Sequence, residues 1–529
     1  MIPWIPFHGQ IVYLNGMKTK IATLLKKLSF ELPEKEEVVK LGLLALLARE
    51  SLFLLGPPGT AKSLTARRLK YAFAEAKSFE YLMGRFSTPE EIFGPFSIAG
   101  LRDKDVFERQ TKGYLPDVEI AFLDEIWRAS PPIQNALLTI LNERVFRNGA
   151  HEVKVPLKGI LGASNRLPES EESAEAFWDR FLIRLTVDNL ESSENFAAMI
   201  QNTSDPYINP LLPSESLTPS ETDSVEIFQK EVQIDPFTIR AIIQLREAIK
   251  KKGPENQDPG VLDWYVSDRR WKKIVKLLRV SAVLHNRKTT DIMDLFLAIP
   301  CLWNQKNQIA DVENLVCQAV EEHGYLPSQP LEPIFEELEK MTVQWNQLTG
   351  ISRLVEKRRP VLHGGEYYTL INPQEEQLLR IWGEDFDLLG RDEEHEIEVY
   401  SFNPQGEMES SKLMLARKGA QEAQILLGGQ TLDLIHRLET IEERQAIQPN
   451  PEALQVWTAE VDKAMKRLKA AQKALEKEEV LKKAEAQSHL FVWEGYSDLP
   501  LTPLLRFQEQ LNECKVRYEV LLAKAKELT

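Results

Sequence analysis

Eight consecutive residues, Gly56-Pro57-Pro58-Gly59-Thr60-Ala61-Lys62-Ser63, carry a side-chain set suited to holding a phosphate. Glycine and proline shape a loop whose backbone N–H groups can turn inward, Lys62 adds a mobile cation for the β- and γ-phosphates, and Ser63 offers a hydroxyl to Mg²⁺. The run from Leu64 to Lys77 reads as a helix, so its positive N-terminus would face the same anion. Where the common pattern has glycine this chain has Ala61, which a helix-start backbone with negative φ would tolerate. A glycine- and proline-rich turn with a chance Lys-Ser would give the same letters, but the strand-loop-helix setting favours the phosphate reading.

About 60 residues downstream, Ile120-Ala121-Phe122-Leu123 ends in Asp124-Glu125. Asp124 would hold Mg²⁺ through its water shell, and Glu125 would orient and polarise the attacking water. Two adjacent acids after an apolar run are commonplace alone. Paired with the upstream loop they predict ATP hydrolysis, because nucleotide binding by itself needs no water-activating acid.

The elements that must position these groups are short apolar strands alternating with helices, the pattern of a parallel sheet wrapped by helices. Strands are predicted at Ser51 to Leu55, Ile120 to Leu123 and Gly159 to Ala163, each with chemistry-bearing residues just beyond its carboxyl end. Hydrophobic residues at 43% and charged residues at 27% of 529 supply real cores and argue against wholesale disorder. A net charge of −15 speaks against a nucleic-acid coat or a polybasic membrane binder. Three cysteines, Cys301, Cys317 and Cys514, provide neither a disulfide framework nor a zinc set, which suits a reducing cytoplasm. No apolar stretch is long enough for a membrane span, and the opening segment lacks the basic region of a secretory signal.

Along the chain, residues 1–17 read as an N-terminal extension, with Met17 an alternative start, and 18–200 as an α/β core. Four prolines among Ser, Thr and Asn between Asn202 and Thr222 mark a linker over 201–230. An all-α unit follows over 231–325. Apolar stripes at three- and four-residue spacing in 326–359 and 441–529 predict three mutually packing helices, interrupted by a β-rich insert over 360–440. Within that insert Gly428-Gly429-Gln430 reads as an ordinary glycine loop rather than a peptidyl-tRNA hydrolysis motif. Asn148-Gly149 between two β-type runs is a hairpin signal. The eight histidines form no HExxH or Cys/His cluster at ligand spacing.

These residues resemble the MoxR branch of AAA+ ATPases, most closely its RavA members. The resemblance rests on GPPGTAKS at Gly56, FEYLMGRFSTPEEIFGP at Phe79 to Pro95, FLDEIWRASPPIQNALLTILNERVFRNG at Phe122 to Gly149, GASN at Gly162 to Asn165 and YVSDRRWKK at Tyr265 to Lys273. It is strong over 18–320 and weaker, mainly in layout, beyond.

The fold so implied is an AAA+ P-loop parallel sheet flanked by helices, an all-α lid, a three-helix bundle and a small β-rich insert. The cofactors implied are ATP and Mg²⁺. Asn165 falls where the family keeps its first sensor. Arg180, in Asp179-Arg180-Phe181, matches the arginine finger that reaches a neighbouring subunit's γ-phosphate. Arg269, in Ser267-Asp268-Arg269, matches the second sensor, expected to touch ATP in its own subunit, with Arg270 as the alternative register. Phe79 to Pro95 resembles the family's insert in the second helix. By the same resemblance the chain forms a hexameric ring and partners a von Willebrand factor A-domain protein. An inducible lysine decarboxylase is implied for the insert.

Bland readings stand beside these. Asn165 could cap a helix, Arg180 and Arg184 could be surface ion-pair partners, and Arg269 could belong to a basic helix face. A nucleotide-gated scaffold and a nucleic-acid translocase are the competing functions, the second disfavoured by the acidic charge balance.

Overall fold

The computed structural model describes residues 8–104, 106–168, 172–205, 207–253, 264–371, 378–403 and 407–528. The opening segment Met1 to Phe7 lies outside them. The chain divides into two compact units, one formed by residues up to Pro330 together with Ala471–Leu511, the other by Leu331–Ala470 and Asn512–Thr529. The sequence predicts a helical domain over all of 441–529 together with 326–359; residues 471–511 belong instead with the first unit.

The first unit opens with α1 (His8–Leu28) and α2 (Glu36–Leu47). Met17, Ile21, Leu24 and Leu28 of α1 are buried, so the boundary drawn at residue 17 falls inside a helix that packs into the core. The strands are β1 (Ser51–Leu55), β2 (Ser78–Leu82), β3 (Ile120–Asp124), β4 (Val145–Asn148), β5 (His151–Lys154), β6 (Gly159–Ser164) and β7 (Phe181–Thr186), with α3 (Lys62–Tyr71) after β1. Five of them form one parallel sheet in the order β2-β3-β6-β1-β7. The centre is apolar on both faces, as a sheet covered by helices requires: all five residues of β1 and all six of β6 are buried.

Two of those strands escaped the sequence reading. Residues Ser78–Leu82 alternate exposed and half-buried at the sheet edge, so Phe79 to Leu82 belong to an edge strand and not to an insert. Phe181–Thr186 is hidden by Arg184, whose charge suggested a surface position; the side chain is fully buried. β4 and β5 form the expected hairpin one residue later than the Asn148-Gly149 signal, with Asn148 paired to His151 and Gly149 and Ala150 making the turn. Asn148 instead accepts from the Arg109 backbone N–H at 2.6 Å and donates to its carbonyl at 3.0 Å.

The predicted linker is not structureless. A helix, Pro219–Phe228, occupies its second half, started by a Thr218/Glu221 capping box. The all-α unit follows, with helices Pro236–Lys252, Asp268–Leu284 and Ile309–Glu322. Among the described residues no helix is long and apolar enough to cross a membrane.

In the second unit, Trp345 of helix Glu332–Thr349 and Trp457 of helix Pro451–Gln487 pack with ring centroids 4.8 Å apart and planes inclined by 37°. Gly350–Pro360 and His436–Ala446 pair along their whole length as an antiparallel ribbon, so β structure begins before residue 360 and ends after 440. Six strands beyond the ribbon, Tyr367–Ile371, Leu378–Trp382, His395–Phe402, Met408–Lys418, Gln424–Leu427 and Gln430–Leu434, each pair antiparallel with the next. The last pairs with the first, which closes them into a barrel around Ile381, Val399, Ala416, Ile425 and Leu434. Gly428 and Gly429 have φ of 54° and 86° and form the two-residue turn of one hairpin.

Candidate active site

Parallel register places the chemistry at one end of the sheet. Leu55 is opposite both Ser164 and Thr186, and Leu123 is opposite Gly162, so the loop after β1, the acids ending β3 and Asn165 after β6 share the carboxyl edge. Gly56 is required by close backbone approach: a Cβ there would lie 2.1 Å from the Val187 carbonyl oxygen. Gly59 has φ +82° and open space around it. Ala61 also has positive φ, +64°, so the expectation of a negative φ is corrected. Its methyl sits in a left-handed conformation that costs an L-residue roughly 1–2 kcal/mol and that the usual glycine would adopt freely. The φ of a residue is set by how the loop closes onto α3, which its side-chain identity does not reveal.

Lys62 is 7% exposed and donates to the carbonyls of Gly56 at 2.9 Å and Pro57 at 2.7 Å, so the cation lies folded into the loop that precedes it. Burial lowers its pKa, against the upward pull of Asp124 and Glu125. Thr60 donates to the Pro57 carbonyl and stiffens the turn. Pro57, Pro58 and Gly59 form its exposed crest. The Ser63 hydroxyl lies 3.5 Å from Asp124 Oδ2. A hydroxyl beside a carboxylate, both hard oxygen donors, fits Mg²⁺, and a glycine loop capped by a lysine at a helix start fits a triphosphate.

Glu125 adopts φ 50°, a strained left-handed backbone. Its carboxylate is held by Ser164 at 3.5 Å and Arg128 at 3.6 Å, two residues sequence reasoning had not assigned. Ser164 stood within the quoted GASN segment, and its carbonyl also accepts the Gly56 N–H at 3.1 Å. Asn165 is exposed at the end of β6, beside that loop.

Arg180 and Arg269 lie elsewhere. Phe181 is paired with Ser51, so Asp179 and Arg180 sit at the amino end of the sheet, roughly 13 Å of strand away from the loop after Leu55. Arg269 donates to Asp179 Oδ2 at 3.0 Å, and the same helix is tied to Glu50 by Lys273 at 2.7 Å and Lys276 at 3.2 Å. The expectation that Arg269 touches ATP in its own subunit is therefore corrected: its helix docks at the sheet end opposite the phosphate loop. Arg270, the alternative register, is 3% exposed and grips Asp179 Oδ1 through Nε at 3.0 Å and Nη2 at 2.7 Å. Burial alone would raise the Asp179 carboxyl, but Arg270, Arg184 and Arg269 outweigh it and hold the group below the usual aspartate range.

A second polar cluster, in the lid, resembles a metal site by composition. Ligand-type atoms of His285, Asp294 and His489 lie within 4.8 Å of one another. Every nitrogen is already engaged, however. His285 Nδ1 donates to the Ser281 carbonyl at 2.8 Å, and Nε2 accepts from the Leu490 N–H at 3.0 Å. His489 Nε2 donates to Asp294 at 3.0 Å, and its Nδ1 accepts from Phe491 and Val492. Arg287 grips both oxygens of Asp294. This is a clasp between the lid and the returning segment after residue 487, not a set of free ligands.

Comparison with known proteins agrees with this layout. Residues 19–207 match the family model described as the MoxR domain in the MoxR-vWA-beta-propeller ternary systems, and residues 238–316 match an AAA lid domain. The uncharacterized protein MJ0079 of Methanocaldococcus jannaschii is 38% identical over 304 residues, 57% of this chain and 75% of that protein. A second protein of that organism, MJ0812, is 34% identical over 322 residues, 60% of this chain and 81% of that protein. The uncharacterized protein YeaC of Bacillus subtilis is 27% identical over 259 residues, 48% of this chain and 76% of that protein. Since the first of these is matched over three quarters of its length, and the two models follow one another in core-then-lid order, the chain belongs to the MoxR family of AAA+ ATPases.

Proposed function

We propose that the chain works as a ring of copies, a hexamer by its resemblance to RavA, in which ATP is gripped by Gly56–Ser63 of one protomer and cut with help from the next. Asp124 and Ser63 would hold Mg²⁺, which supplies charge neutralisation on the phosphates when bound. Glu125 orients water, and Asn165 contributes an amide beside it. Arg180 and Arg269 both serve the neighbouring protomer's nucleotide. The observation that carries this reading is the separation of those two arginines, at one end of the sheet, from their own phosphate loop at the other.

Hydrolysis coupled to the lid then remodels or regulates a partner protein. The matched domain's description supports a partner with a von Willebrand factor A domain. The barrel beyond residue 360 is the module we assign to a further protein, for which the resemblance implies an inducible lysine decarboxylase.

The test is ATPase rate per subunit against protein concentration, with wild type alone and mixed with Arg180→Ala protein. A shared site predicts a rate per subunit that rises with concentration and, because each wild-type arginine still faces an intact phosphate loop on its neighbour, falls in proportion to the wild-type fraction on mixing. Rates indifferent to both would overturn the reading.

A further inference from the structure

Three guanidinium groups meet at one carboxylate, and a fourth joins them through an amide. Asp179 Oδ1 is taken by Arg270, as described, while Oδ2 is shared by Arg269 at 3.0 Å and Arg180 at 3.4 Å. Arg270 also donates to Asn304 Oδ1 at 3.0 Å, which accepts from Arg184 at 2.7 Å, so the fourth cation joins through an amide. The Ser267 hydroxyl, which caps the lid helix, lies 3.3 Å from Oδ2 as well.

The two oxygens have different work. Oδ1 is committed to a buried arginine that pins the lid helix to the start of β7. Oδ2 gathers two more accessible arginines, Arg269 being 48% exposed. One negative charge among four positive ones leaves the cluster short of anion, and Arg180 Nε is buried without a hydrogen-bond acceptor among the described residues. Such a donor is costly unless something supplies an oxygen.

We infer that Asp179 is a positioning residue that sets Arg180 and Arg269 as one two-guanidinium hand, presented to the triphosphate of the adjoining protomer and registered to the lid through Arg270. A phosphate oxygen can replace Oδ2 as the acceptor of that hand without disturbing the Oδ1 anchor. Lid position and finger position are thereby one variable. The inference rests on the shared-site reading above.

The experiment uses full-length Asp179→Asn and Asp179→Glu proteins, each assayed alone and mixed with Lys62→Ala protein. Lys62→Ala protomers lack the phosphate grip but offer an intact hand; Asp179 variants have the grip but a displaced hand. Each Asp179 variant alone is expected to lose on the order of tenfold or more in kcat, the scale of an ångström-level misplacement, with KM for ATP within about twofold. Mixing with Lys62→Ala should raise the rate above either protein alone, because intact hands then face intact grips.

If Arg180→Ala gains on mixing with Lys62→Ala but neither Asp179 variant does, Asp179 is a structural pin and the inference is overturned while the shared site stands. If no mixture gains, the shared-site reading falls too. Asp179→Glu keeps the charge that anchors Arg270, so an unchanged melting midpoint with reduced kcat supports the positioning role even where Asp179→Asn folds poorly.

Discussion

Glu125 Oε2 lies 3.5 Å from the Ser164 hydroxyl, so the carboxylate that follows β3 is held by the last residue of the neighbouring strand β6. The acid is thus fixed by the sheet, and Asp124, one residue earlier, is left to face Ser63. Successive side chains on a regular strand already point to opposite faces, and the left-handed φ of Glu125 turns the chain out of the strand at that residue.

Glu125→Gln keeps the shape and removes the charge. ATP should bind as in wild type while turnover falls by about 10²- to 10⁴-fold, the range for loss of a positioned acid–base group. Retained nucleotide together with absent phosphate release is the expected pair of measurements. Near-normal turnover would move the water-orienting role to another residue.

The two glycines of the loop should respond differently to alanine. At Gly56 the added Cβ meets the Val187 carbonyl oxygen at 2.1 Å and its carbon at 2.9 Å, next to the Val187 N–H bond to Leu55 O. The ends of β1 and β7 must part, an overpacking cost of about 1–3 kcal/mol, and nucleotide affinity should fall with it. Gly59→Ala has room and meets only the strain of its φ, about 1 kcal/mol. Thermal melts and nucleotide titrations of the two variants check the order; equal effects would contradict the contact at Val187.

Much of this site was legible in sequence because its elements are local. The loop residues are contiguous, and the Asp124-Glu125 pair ends a wholly apolar strand that needs no partner to be read. β2 escaped because an edge strand keeps polar residues on its exposed face, and β7 because Arg184 breaks its apolar run. The arginine hand was legible only as separate motifs: Asp179 and Arg270 are 91 positions apart, and only folding puts them on one carboxylate. The barrel was equally out of reach, since its closure depends on Tyr367–Ile371 pairing with strands on both sides of it in space, one of them some sixty positions later. Ala61 shows the converse limit, where the residue type was read correctly and its backbone wrongly.

Arg184 should be among the most sensitive positions in the first unit. It is fully buried, with its guanidinium 4.0 Å from the Trp178 ring, and donates to the carbonyls of Phe181 and Trp178 and to Asn304 Oδ1. Arg184→Leu strands those acceptors and should destabilise by about 3 kcal/mol or more. Arg184→Lys should rescue little, because a point ammonium cannot span a forked set of acceptors. A lysine variant melting like wild type would show that charge rather than geometry matters at this position.

The lid clasp should loosen with acid. Burial, then His489 and Arg287, lower the pKa of His285 to about 3, outweighing Asp294, which acts the other way. In the unfolded chain the same ring titrates near 6.5. Above that pH both states are neutral and the clasp is at full strength; as pH falls from 6.5 toward 3 the open state binds a proton that the closed state refuses, and stability is lost at up to about 1.4 kcal/mol per pH unit. By pH 5 the loss should reach about 2 kcal/mol. The Leu490 N–H, which donates to His285 Nε2, gives a local reading by hydrogen exchange. Its protection should fall steadily between pH 6.5 and 5 after correction for intrinsic exchange, and His285→Gln should flatten that dependence. Protection that stays constant across this range in wild type would mean the imidazole is not kept neutral by its surroundings.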